Sequence, residues 1–66
     1  MRVTFGKHTG AMVITNNNAI LSTTSRDAVA INEILTIANE RWQVIGLNAS
    51  LYIPEVVNIS LRKETI

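Results

Sequence analysis

The only histidine, His8, lies in Gly6-Lys7-His8-Thr9-Gly10, a stretch with a glycine at each end. A general base needs a partner to tune it and a pocket to hold its substrate. The sequence around His8 points to neither. The five acids, Asp27, Glu33, Glu40, Glu55 and Glu64, are scattered along the chain. This gives no carboxylate pair and, with one histidine and no cysteine, no metal-ligand spacing. The expectation is a protein that is not an enzyme and takes no cofactor or metal. Glycines do let backbone N–H groups approach an anion, but GKHTG lacks the order of a phosphate-binding loop and no helix follows it directly. A hairpin turn is the plainer reading, with Lys7, His8 and Thr9 at a tip that a binding loop would use.

The other charged candidates are basic. Arg2, Lys7, Arg62 and Lys63 stand near the two ends of the chain. If the first and last strands are neighbours, these residues form a small basic edge, with His8 beside it, for nucleic acid or an anion. Tyr52 is the one aromatic suited to base stacking. Against this, the net charge is only +1, so no overall field draws the chain to nucleic acid or to a membrane surface. Basic residues at a sheet edge also have a simpler purpose, to discourage strand-to-strand aggregation.

These residues need elements to position them. From Thr24 to Gly46 the apolar residues Ala28, Ile31, Ile34, Leu35, Ala38, Trp42 and Ile45 follow the spacing of one face of an α-helix. Glu33, Thr36, Glu40 and Gln43 fall largely opposite. Thr24 followed by Asp27 has the spacing of a capping box, and Gly46 suits a helix end with Leu47 folding back on Trp42. A helix over about 24–46 is therefore expected. Before it, Arg2–Phe5, Ala11–Thr15 and Ala19–Thr23 read as short strands, with a reversal at Asn16-Asn17-Asn18. The apolar Ala11–Thr15 segment is expected to be covered on both faces. After the helix, residues 47–53 alternate cleanly, Pro54 interrupts, and Val57–Arg62 alternates again, leaving a frayed tail at 63–66. The expected fold is α+β, one helix on a four- to five-strand, mainly antiparallel sheet in the order β-β-β-α-β-β. It forms a single small domain over 1–66, with no internal repeat.

At 66 residues, 47% hydrophobic and 17% charged, the chain is neither disordered by composition nor large enough for more than one layer of core. No disulfide can supplement that core, so burial against a second copy is expected, most simply in a twofold dimer. No apolar run approaches the roughly 20 residues of a membrane-spanning helix, and residues 1–20 lack a signal-peptide centre. A cytoplasmic setting is expected. The Asn48-Ala49-Ser50 and Asn58-Ile59-Ser60 glycosylation patterns are then coincidental.

Ala30, Ile37 and Val44 form a second apolar stripe beside the first, wider together than one sheet face needs. With Trp42, they are the expected protein-interface residues, Trp42 being first of all a core anchor. A non-enzymatic binding module follows by elimination. It would act as an inhibitor or regulator by occupying a protein partner, in the size range of small regulators encoded by phages. The alternatives are a nucleic-acid-binding regulator and a structural subunit of a larger assembly.

Overall fold

A computed structural model describes residues 1–24, 29–50, 52, 53 and 55–64. It has six strands: β1 (Arg2–Phe5), β2 (His8–Thr15), β3 (Asn18–Thr23), β4 (Ile34–Ile37), β5 (Glu40–Ala49) and β6 (Val57–Lys63). All pairings are antiparallel, and the sheet order is β1-β2-β3-β6-β5-β4. The sheet curls until β1 and β4 lie alongside each other, giving a nearly closed barrel. No helix occurs among the described residues, so the α+β expectation is wrong.

The correction falls on the 24–46 segment. It forms β4 and most of β5, joined by the two-residue turn Ala38-Asn39. Both turn residues have positive φ, 53° and 66°, which is the signature of a turn matched to the right-handed twist of a hairpin. Two interleaved period-2 patterns had imitated one helical stripe. Within the hairpin the buried residues are Leu35 and Ile37 before the turn and Trp42 and Val44 after it. Of the supposed stripe, Ile31, Ile34 and Ile45 are exposed and Ala38 is in the turn. Ile34, Thr36, Ile37, Val44 and Ile45 are β-branched, which favours a pleated strand. The cap partner Asp27 and the stripe residue Ala28 lie outside the described residues. Gly46 pairs with Ser60 within β5, and Leu47 pairs with Ile59 instead of folding back on Trp42.

Elsewhere the strands run longer or stop sooner than alternation predicted. β2 begins at His8, which shortens the first turn to Gly6-Lys7 and draws Thr9 and Gly10 into the sheet. Gly6 takes a positive φ of 60° there, as Asn16 does (56°) in the next turn. β5 ends at Ala49, before Leu51 and Pro54, which are not among the described residues. A bulge at Ile45, between Val44 and Gly46, turns Ile45 outward and lets Leu47 face Ile59.

The core is drawn from every strand: Val3 and Phe5, Met12, Ala19 and Leu21, Leu35 and Ile37, Trp42 and Val44, and Val57, Ile59 and Leu61. Val29 joins them from the connection before β4. At Gly10 the β2 backbone passes so close to β3 that a Cβ would stand 2.7 Å from the Ser22 carbonyl oxygen. Thr23 ties the same corner, its hydroxyl donating to the Thr9 carbonyl at 2.8 Å. The two halves β1–β3 and β4–β6 are each a meander, and the sheet order is unchanged when they are exchanged. The fold thus has a twofold topology without a visible repeat in sequence.

Candidate interaction surface

The polar candidates mostly carry structural contacts. His8 is half-buried at the start of β2, its ring centroid 5.7 Å from that of Phe5 at an interplanar angle of 40°. Glu33 closes the turn before β4 by accepting from the Ala30 N–H at 3.0 Å. Glu40 pairs with Lys63 at 2.8 Å, and Glu64 pairs with Arg41 at 3.5 Å. Among the described residues, no three of His, Cys, Asp and Glu gather where they could hold a metal ion.

The sequence-predicted basic edge does not assemble. Arg2 pairs with Ala11, which continues through Ser22 to Asn58, so two strands separate it from β6. Lys7 and His8 sit beyond the Ala11–Ser22 pair, at one end of the sheet. Arg62 and Lys63 sit at the other end, where Arg62 faces Asn18 and the Lys63 N–H donates to the Asn17 carbonyl at 2.7 Å. Asn17, Gln43, Arg62, Lys63 and Glu64 line a polar surface cleft of about 410 Å³. Arg62 donates to Gln43 Oε1 there at 3.3 Å, while Lys63 is held by Glu40. The cleft therefore has a small net charge, and the five predicted contacts Arg2, Lys7, His8, Arg62 and Lys63 form no continuous patch.

The predicted interface residues also move. Ile37, Val44 and Trp42 are fully buried in the barrel, so they present no free surface. Ala30 is exposed in the turn before β4. Helical geometry had put Ile37 and Val44 on a shared flank, whereas strand geometry points both inward.

Exposed apolar side chains occur at Met1, Ile14, Ile31 and Ile34, and also in two groups. One is the outer face of the sheet. Val13 is 66% exposed and Ile20, its direct cross-strand partner, 45% exposed. The row continues through Ser60 to Gly46, beside the bulged Ile45. The next row runs from Arg2 through Ala11, Ser22 and Asn58 to Asn48, with the Ser22 hydroxyl donating to Asn58 Oδ1 at 2.7 Å. The other place is the 50–56 connection. Its ends are joined by a hydrogen bond from the Ser50 N–H to the Val56 carbonyl (2.9 Å). Ser50 Oγ accepts from the Tyr52 and Ile53 N–H groups at 3.3 and 3.2 Å, and the Val56 N–H donates to the Ile53 carbonyl at 3.0 Å. Tyr52 is 92% exposed on this turn, and Ile53 beside it is also exposed.

Strand parity would have found Val13 and Ile20, since Met12 and Leu21 point the other way. Tyr52 stands out in the sequence only as an aromatic suited to stacking, two residues before Pro54. Comparisons with family models, with curated proteins and with solved structures found no match.

Proposed function

We propose that this chain is a non-enzymatic protein-binding module, an inhibitor or regulator that works by occupying a protein partner through the Tyr52–Ile53 turn. The observation that carries this reading is the presentation of Tyr52. A large aromatic is held almost wholly in solvent, with an exposed aliphatic neighbour, on a turn pinned by Ser50. Leaving such a side chain in water forgoes about 1.5–3 kcal/mol of burial, which a partner's pocket recovers. Tyrosine is common among the residues that dominate interfaces, and a turn fixed beforehand loses little entropy on binding. Nucleic-acid binding is the weaker reading, because Lys7 lies at one end of the sheet and Arg62 and Lys63 at the other, and Lys63 pairs with Glu40.

The test is affinity capture from host-type lysate with nuclease present, comparing the tagged chain with Tyr52→Ala. One stoichiometric protein held by the parent and lost by the variant supports the proposal. Partners that disappear with nuclease, or a partner held equally by both chains, contradict it.

A further inference from the structure

We infer that the polar cleft around Arg62 is a binding site for a carboxylate monoanion. Arg62 and Gln43 are direct cross-strand partners on β6 and β5. The Arg62 guanidinium donates to Gln43 Oε1 at 3.3 Å, and Gln43 Nε2 donates in turn to Asn32 Oδ1 at 3.5 Å. Using Nε2 for Asn32 commits the Gln43 oxygen to accepting from Arg62. One corner of the guanidinium is thereby held, and its remaining N–H groups have no hydrogen-bond partner among the described residues. A planar guanidinium presents its donors as a rigid fork, and a carboxylate accepts from that fork bidentately.

The charges at this end of the sheet set the class of ligand. Arg41, Arg62 and Lys63 stand against Glu40 and Glu64, three cations to two acids. Both acids are engaged, Glu40 by Lys63 at 2.8 Å and Glu64, on the cleft wall, by Arg41 at 3.5 Å. Arg62 makes no ion pair among the described residues. One surplus positive charge matches a monoanion, whereas a polyanion such as nucleic acid needs a run of cations. The volume of about 410 Å³ falls within the ~300–1,000 Å³ of small-molecule sites, so it holds more than a bare carboxylate group. Asn17 and Gln43 give the cleft polar walls, and beyond Gln43 the same row ends at exposed Ile34, a rim for the carbon body of the acid. This chemistry suits a free organic acid or the terminal carboxylate of a polypeptide. The cleft is at the end of β6 away from the 50–56 connection, so the inference is independent of the Tyr52 proposal.

Nuclear magnetic resonance titration of the isotope-labelled full chain tests this, with benzoate against neutral benzamide and N-acetyl-alanyl-alanine against its C-terminal amide. The expected result is saturable shifts at the Gln43 side-chain amide and the Arg62 Nε–H with an acid, and none with the matching amide. Tighter binding of benzoate identifies a free acid as the source, and tighter binding of the peptide acid identifies a chain end. Arg62→Gln should weaken binding about tenfold or more, and Arg62→Lys, which keeps the charge but loses the fork, should also weaken it. Equal shifts with acid and amide, unchanged acid binding in Arg62→Gln, or no shift with either acid at tens of millimolar overturns the inference. Arg62 is exposed, so its variants should keep the remaining cross-peaks of the parent. If they do not, Gln43→Met decides, because it removes the acceptor that holds the guanidinium. Weaker acid binding in Gln43→Met supports the site, and unchanged binding contradicts it.

Discussion

Trp42 shows how much depends on which way a single side chain points. It is the largest fully buried residue and packs where β5 meets both β4 and β6. Removing it as Trp42→Ala should cost about 3–5 kcal/mol, a large part of what so small a domain has. Urea denaturation should show the midpoint falling steeply or the native baseline lost. Tyr52→Ala should leave the midpoint nearly unchanged, because its side chain is in solvent. Gly10 is a second sensitive position. An added methyl would meet the Ser22 carbonyl oxygen at 2.7 Å and Leu21 Cδ1 at 2.9 Å, and backbone cannot move aside cheaply. Gly10→Ala should destabilise by about 1–3 kcal/mol, read from the same denaturation curves. The Lys63–Glu40 pair is different in kind. Both side chains are substantially exposed, so Glu40→Gln should change stability by no more than about 1 kcal/mol.

Among the elements, the β4–β5 hairpin explains what the sequence revealed and what it concealed. Alternation located β1, β3 and β6 because each buries one face over several residues without interruption. The same alternation in 34–49 is broken twice, by the Ala38-Asn39 turn and by the bulge at Ile45. Each break shifts the phase of the pattern, and the shifted pieces sum to a spacing close to 3.6. Asn32 and Asn39, both with positive φ in the structure, were the residues arguing against a continuous helix. The candidate sites shared that error. Ile37 and Val44 became surface residues only because a helix was assumed. The basic edge failed for another reason, since strand order is a long-range property that local pattern does not encode. The hairpin gives its own prediction. Ala38 holds φ 53° without the side-chain help an asparagine provides. Ala38→Asn should therefore stabilise the protein by about 0.5–1 kcal/mol, visible as a raised thermal midpoint. An unchanged or lower midpoint would count against this turn.

For the whole molecule, the decisive property is a core shared by all six strands with little left over to strengthen it. The barrel buries one face of each strand and leaves its β1 and β4 edges short, at four residues each, which limits their use as templates for further pairing. No helix among the described residues is long and apolar enough to cross a membrane. Tyr52 and Ile53 are exposed in the connection that follows β5, so the proposed contact depends on β5 being a strand. The most direct test is therefore nuclear magnetic resonance of the labelled chain across residues 29–49. Strand-type secondary shifts, with cross-strand contacts between Leu35 and Trp42 and between Val44 and Leu61, are the predicted result. Helical shifts over that segment, with contacts three and four residues apart and none across to β6, would contradict the barrel and both sites built on it.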